Sequence, residues 1–360
     1  MNRSIIRSLV FSGIIAAEAL LAPADGVCGA DSYLADTLYV EKEFTFQTAE
    51  DGLDQPEAIA VLPDGTVIVS DTKNNRLVQF DKEGVFIKEI GALGSGKNQF
   101  YVPTDIKIGN GCIYVADQGN NRIVKLAFDL SWLGSFSVIP LPDIIAIDHD
   151  GNICVGSRAI LPERHLLVKF DSNGKQLGGI GELLGSPDDP VIARTAINIV
   201  SADFIDGGTL AVCYKGLAYC RCGETAWMVS CDIDSTRAWF YQGYFPEVPL
   251  SKMTNRNKLA DYMEDLKRKC EIDRASNVPL FIDQLAPFND HILVIVSSTL
   301  HEYSCAGTLL KRTVVLKQDG TRLVYERLTV SPDGSIYLMS KYLESSCWKV
   351  RYRQPKTTED

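Results

Sequence analysis

Two stretches of this chain repeat each other, and their spacing limits the fold more than any other feature. The first runs from Pro56 through Ala58-Ile59-Ala60-Val61, Asp64-Gly65 and Val67-Ile68-Val69 to Asp71, then Asn75-Arg76-Leu77-Val78. The second runs from Pro103 through Asp105-Ile106, Asn110-Gly111 and Ile113-Tyr114-Val115 to Asp117, then Asn121-Arg122-Ile123-Val124. Asp71 and Asp117 are 46 residues apart, as are Arg76 and Arg122. A period of that length belongs to blade and solenoid architectures. Within each unit, short β-branched runs are separated by turn residues. Ile59 to Leu62, Val67 to Ser70, Arg76 to Asp81 and Phe86 to Ile90 read as four strands, with Asp64-Gly65 a hairpin signal and Glu83-Gly84 a second turn. Four antiparallel strands per repeat make a propeller blade.

Weaker copies extend the pattern. Ile144 to Asp148, Ile153 to Gly156, Leu166 to Asp171 and Gln176 to Ile180 form a third unit. Ile197 to Phe204, Leu210 to Tyr214, Ala226 to Cys231 and Ala238 to Tyr244 form a fourth. Leu280 to Leu285, Ile292 to Ser297, Leu309 to Leu316 and Thr321 to Tyr325 form a fifth. Leu328 to Val330, Ile336 to Met339 and Trp348 to Tyr352 supply three strands of a sixth. The alternating segment Thr37 to Gln47 has no partner of its own, and lending it to the last unit closes the ring and removes exposed edges. At 360 residues the chain exceeds what one core usually holds. A closed repeat resolves that excess without a second domain. The expected architecture is therefore all-β: a six-bladed β-propeller of four-stranded antiparallel blades over residues 36–353, closed by an N-terminal strand. One helical insertion is expected at 246–279, between blades four and five, and a polar tail at 354–360. Pro246 and Pro249 open the insertion and Pro279 closes it. Inside it Leu259, Tyr262, Met263, Leu266 and Cys270 recur at helical spacing. The helix has two open placements, over the channel mouth or on the side of blade five.

The Asp-x-x-Asn-x-Arg runs at Asp71 and Asp117, each followed by two apolar residues and preceded by Pro, a strand and a Gly turn, resemble NHL repeats. The resemblance extends to the bacterial exported six-bladed β-propeller proteins. It is strong over residues 53–181 and weaker to the C-terminus. The third unit departs from it, because Ser157 replaces the Asp and the Asn and Arg are gone. The resemblance implies a binding platform. It also implies a minority alternative, an enzyme such as an amidoglycolate lyase or a calcium-dependent lactonase.

Asp71, Asn75, Arg76, Asp117, Asn121 and Arg122 recur once per unit at one place, which is the behaviour of a turn-stabilising device. An Asp ending a strand accepts N–H groups of the next loop, and an Arg on the following strand pairs with it. The loops joining second to third strands share a face with the loops between blades. That face collects Glu57, Lys73, Asn74, Phe100, Tyr101, Thr104, Gln118 and Asn120 as candidate binding residues.

Composition narrows the function classes. A net charge of −10 argues against nucleic acid, whose phosphates call for a basic face. Arg3 and Arg7, the apolar stretch Leu9 to Ala17 and the small residues Ala22-Pro23-Ala24 read as an export signal within residues 1–30. They place the mature protein in the periplasm or outside the cell, with lipid anchoring at Cys28 as the second reading. An exported compartment makes the ten Cys disulfide candidates. Cys220, Cys222, Cys270, Cys305 and Cys347 are expected to crowd one face of blades four to six. Zinc through Cys220 and Cys222 with Cys213, Cys231 or Cys270 lacks the usual Cys-x-x-Cys spacing. The four His are expected at the surface, and no His set for a lyase metal assembles. Glu57, Asp105, Asn198 and Asp203 are of the right type for calcium, with nothing to fix their geometry. The sequence thus points to a non-enzymatic exported platform for a protein, peptide or glycan partner, with no cofactor. A metal-dependent hydrolase or lyase at the channel mouth is the alternative.

Overall fold

A computed structural model describes residues 35–45, 52–158, 165–182, 199–205, 208–214, 219–222, 225–228, 282–296, 298–340 and 346–351. Two short N-terminal strands, β1 (Ala35–Tyr39) and β2 (Lys42–Thr45), precede the blades. Blade one holds β3 (Ala58–Val61), β4 (Val67–Asp71), β5 (Arg76–Phe80) and β6 (Phe86–Ile90). Blade two holds β7 (Pro103–Gly109), β8 (Cys112–Asp117), β9 (Arg122–Leu126) and β10 (Trp132–Ser137). Blade three holds β11 (Pro142–Ile147), β12 (Ile153–Ser157), β13 (His165–Phe170) and β14 (Gln176–Glu182). The next sheet holds β15 (Ile199–Ile205), β16 (Thr209–Tyr214), β17 (Tyr219–Cys222) and β18 (Thr225–Met228). The fifth holds β19 (Ile282–Phe288), β20 (His291–Val296), β21 (Thr299–Ser304) and β22 (Leu309–Leu316). The last holds β23 (Arg327–Val330), β24 (Ser335–Met339) and β25 (Ser346–Arg351).

The described strands thus make an all-β propeller of antiparallel four-stranded sheets, one of which carries an extra strand. Each innermost strand packs against the next: β3 on β7, β7 on β11, β11 on β15, β15 on β19, β19 on β23 and β23 back on β3. The cores lie between neighbouring sheets rather than inside any one of them. Val67, Val69, Val78 and Phe80 of blade one pack with Tyr337, Met339 and Cys347 of the last sheet. Ile68 and Leu77, on the opposite side of the same strands, pack with Ile106, Ile113 and Val124 of blade two. That is why the central strands β4 and β8 are buried at every position instead of alternating.

The N-terminal segment divides where one continuous strand was expected. β2 pairs antiparallel with β25 as the outer strand of the last sheet. β1 pairs parallel with β22, as a fifth strand on the sheet before it. The break falls at Val40 and Glu41, whose N–H groups donate to Leu316 and to Lys349, so successive residues hydrogen-bond to different sheets. Phe44 anchors the clasp, buried in the blade-one core and stacked on Tyr337 with ring centres 5.9 Å apart.

Two strand assignments are corrected. In the fourth sheet the third strand is Tyr219–Cys222, read from sequence as a loop, and Thr225–Met228 is the fourth strand rather than the third. In the fifth sheet Thr299–Ser304 is the third strand and Leu309–Leu316 the fourth. Thr321 to Tyr325 contributes only an isolated bridge between Arg322 and Leu316. The run Thr-Leu-His-Glu-Tyr-Ser carries too many polar residues to read as a strand, yet its first five positions are buried. The helix expected at 246–279, the segment Ala238 to Tyr244, residues 1–30 and the tail 354–360 lie outside the described residues.

Candidate functional site

The repeat motif builds the loop face. Asp71 and Asp117 are fully buried. Arg76 Nε reaches the Asp71 carboxylate at 2.7 Å, and Arg122 Nε reaches Asp117 at 2.7 Å. The second oxygen of each carboxylate accepts a loop N–H, from Asp54 at 2.7 Å and from Tyr101 at 2.7 Å. Asn74 and Asn120, placed among the candidate binding residues by sequence, donate to the same two carboxylates at 2.9 and 2.8 Å. The structure therefore gives them to the turn device, and Asn120 also donates to the Gly94 carbonyl. Arg122 continues into the loop between blades, donating to the carbonyls of Ser95, Gly96 and Gln99.

Asn75 and Asn121 link each blade to the next. Both adopt left-handed backbone, with φ of 55° and 53°, a conformation Asn tolerates better than most residues. Their side-chain oxygens accept the N–H of Val102 and of Leu141 at 2.9 and 2.8 Å. Val102 and Leu141 are themselves left-handed, at 58° and 50°, and Gln55 holds the matching place at 49°. Each of the three stands immediately before a Pro at the entry to an inner strand, Pro56, Pro103 or Pro142. A β-branched Val in that region is strained, and the Asn hydrogen bond helps hold it there.

At the start of the inner strands a register shift re-aims the chain. It falls between Pro103 and Asp105 in β7, between Pro142 and Ile144 in β11, and between Ile199 and Ser201 in β15. In β19 it lies between Ile282 and Leu285. Bulges of this kind recur beside functional openings. The residues at the shift are Thr104, Asp143, Val200 and the pair Asp283-Gln284. Glu57 and Glu326 hold the corresponding places ahead of β3 and β23, donating their N–H to Ser70 and Met339. Four of these six inner-strand positions carry a carboxylate.

Two of those acids meet cations of the chain, Glu57 and Asp143. Arg327 pairs with Glu57 through both its carboxylate and its carbonyl. Asp143 takes Gln118 at 2.8 Å and Arg158 at 2.8 Å. Deeper in, Lys107 of β7 pairs with Asp203 of β15, so the contact skips the blade between them. Asp105 lies beside this pair and accepts the N–H of Ile145 at 2.7 Å and of Ile106 at 2.8 Å. Burial pushes the Asp105 carboxyl up to about 6, against the opposing pull of Lys107 and of those two hydrogen bonds. Burial also pulls the Lys107 ammonium down, but the charges of Asp203 and Asp105 outweigh it and the net shift is upward.

This arrangement sorts the sequence expectations. Thr104 and Gln118 are buried, with Thr104 donating to the Pro142 carbonyl at 3.3 Å, so they brace the mouth from within. Phe100 is fully buried and serves the core between blades one and two. Glu57 is held by Arg327. Lys73 stays exposed, 3.4 Å from Asp54, and Tyr101 is 48% exposed. The Tyr101 ring lies over Gly119, where a Cβ would fall 2.2 Å from it, so only glycine admits the ring there. Leu93 and Leu141, which sequence reasoning did not single out, are 65% and 43% exposed on the same run of loops. Lys107 and Arg327 were also missed, although alternation in Asp105-Ile106-Lys107 puts both charges on one side of the strand.

Of the residues suited to calcium, Asp105 and Asp203 share Lys107, Glu57 is held by Arg327, and Asn198 lies outside the described residues. Among the described residues, no three His, Cys, Asp or Glu side chains converge to hold a metal. The histidine expectation needs correction. His301 is fully buried, and His291 is bound to Glu302 at 2.8 Å. The cysteine cluster is corrected as well. Cys305 lies after β21, between third and fourth strands, while Cys347 lies within β25 in the core shared with blade one. Cys112, Cys154, Cys305 and Cys347 are free thiols. Cys220 and Cys222 lie on β17, with Cys220 opposite Cys213 in register. Cys270 falls outside the described residues.

A family model described as 6-bladed beta-propeller matches residues 40–149. Over 144 residues the chain is 26% identical to Protein brain tumor of Drosophila melanogaster, a match covering 38% of this chain and 13% of that protein. The chain therefore spans a small part of that relative's length. Among solved structures, a streptogramin B lyase superposes with a TM-score of 0.50 at 12% identity, over 87% of this chain and 98% of that one. Hydrazine Synthase of Kuenenia stuttgartiensis gives 0.50 at 12% identity, over 85% and 98%. These likenesses support a β-propeller family and concern the fold alone, since one fold hosts many unrelated activities. Among the described residues no helix is long and apolar enough to cross a membrane.

Proposed function

We propose that the protein is an exported, non-enzymatic six-bladed propeller that binds a protein, peptide or glycan partner on the loop face around its channel. One contrast carries this reading. Charged groups of the inner strands are matched in pairs, Lys107 to Asp203 and Arg327 to Glu57. The loop face of blades one to three instead leaves Leu93, Tyr101 and Leu141 open to solvent. These apolar groups stand on loops stiffened by Asn75, Asn120, Asn121 and Arg122. A stiff surface loses little entropy on binding, and aromatic side chains are enriched where partners dock. For the metal-dependent alternative, the Lys107 ammonium already stands beside the carboxylates that a cation would need.

The test places a photo-crosslinking amino acid at Tyr101 and, separately, at the exposed rim residue Leu177. Each variant is irradiated in the native exported fraction. The reading expects one dominant adduct from position 101, competed away by unlabelled wild type but not by Tyr101→Ala, and none from 177. Equal labelling from both positions, or a stoichiometric metal in the purified protein, overturns it. N-terminal mass analysis of the mature protein tests export: a first residue beyond Ala22 supports cleavage, and an intact Met1 rejects it.

A further inference from the structure

Strands β21 and β22 place an imidazole directly opposite a guanidinium, because His301 and Arg312 are register partners. Partners across an antiparallel pair share one face of the sheet. His301 is fully buried. Its Nδ1 lies 3.2 Å from the Tyr303 hydroxyl, while its Nε2 has no hydrogen-bond partner among the described residues. Nε and Nη2 of Arg312 are likewise shut off from water and without a partner among the described residues. Burial, with the charge of Arg312 added to it, pushes the imidazole down to about 3, so the ring is neutral and carries one proton. The Tyr303 contact admits either tautomer, and the one in which the Tyr303 O–H donates to Nδ1 puts that proton on Nε2. In that tautomer three buried nitrogens lack an acceptor among the described residues, and two of them belong to a group that is always charged.

The chemistry these groups lack is specific. The Nε–Nη2 edge of a guanidinium is a fork that takes two oxygens of one carboxylate or phosphate. Arg76 and Arg122 show how this chain ordinarily treats a buried arginine, each with Nε on an Asp carboxylate. The neighbouring acid Glu302 is engaged by His291 instead.

We propose that Arg312 and His301 form an oxoanion-binding site within the fifth sheet, the anion held by the Arg312 fork and by Nε2–H of His301. The site is separate from the loop face, and because its atoms are enclosed the anion enters as the chain folds. The full chain is unfolded in guanidinium chloride and refolded in Tris–chloride. Sodium phosphate or sodium acetate is added at ionic strength matched with sodium chloride. The expected result is a saturable rise in melting temperature that chloride does not produce. It should be absent in Arg312→Met and about tenfold weaker in apparent affinity in His301→Phe. Whether phosphate or acetate acts at lower concentration identifies the oxoanion class. A wild type insensitive to both anions overturns the proposal, and so does an Arg312→Met variant that responds as the wild type does. If Arg312→Met fails to refold, ion chromatography of desalted, refolded wild type decides. One equivalent of anion per chain supports the site, and none overturns it.

Discussion

Phe44→Ala tests whether the N-terminal segment closes the ring. Phe44 is 1% exposed and belongs to a core that joins blade one to the last sheet. Its ring stacks on Tyr337 and lies against Gly84, where an added Cβ would fall 2.2 Å from it. Truncating a buried Phe costs about 3–5 kcal/mol, through lost transfer energy and the cavity left behind. The stack with Tyr337 accounts for about 1 kcal/mol of that. Tyr39, five residues earlier on β1, is 54% exposed and provides the control, since surface substitutions usually stay within about 0.5 kcal/mol. For a domain of this size about 2 °C is lost per kcal/mol. Phe44→Ala should therefore melt about 6–10 °C below wild type, while Tyr39→Ala stays within about 1 °C. The assay is thermal unfolding followed by tryptophan fluorescence, with Trp348 as a local reporter because its indole donates to Glu43 on β2 at 3.0 Å. Equal melting temperatures for the two variants would refute the closure argument, as would a Phe44→Ala transition in which only the Trp348 signal moves.

Asp71→Ala should cost about 3–5 kcal/mol, because it leaves the partly buried Arg76 guanidinium without its carboxylate; denaturant unfolding checks this, and a loss under about 1 kcal/mol would sink it. Asp105 makes stability fall as pH rises. Its folded-state value of about 6 lies above the ordinary carboxylate range, so the folded chain holds the proton more tightly than the unfolded one. Its contribution is full below about pH 4 and is lost by about pH 6, amounting to about 3 kcal/mol. In Asp105→Asn that part of the pH profile should flatten, and an unchanged profile would reject the assignment. Cys305 and Cys347, free thiols in the structure, should alkylate in unfolded protein without a reducing agent; alkylation only after reduction would restore the disulfide reading.

Local chemistry alone determined much about this protein. The 46-residue repeat, the Gly turns and the β-branched runs specified propeller blades, because strand period and turn type are short-range properties. The Asp-Asn-Arg motif was legible for the same reason: its main contacts lie within a few residues, Asp71 with Arg76 and Asp117 with Arg122. Other features depend on distant parts of the chain. Nothing near Lys107 announces Asp203, which is 96 residues away and reaches it only through the ring. Nothing in Thr299–Ser304 announces a strand, because its polar side chains find their partners or their burial only once the neighbouring sheets are in place. The split of β1 from β2 likewise follows from two sheet edges that exist only after the ring has closed. Patterning determined the blades, and tertiary structure decided which charges cross the channel, which candidate residues face solvent and where the chain ends are clasped. Those outcomes depend on the relative placement of sheets, which no local sequence pattern encodes.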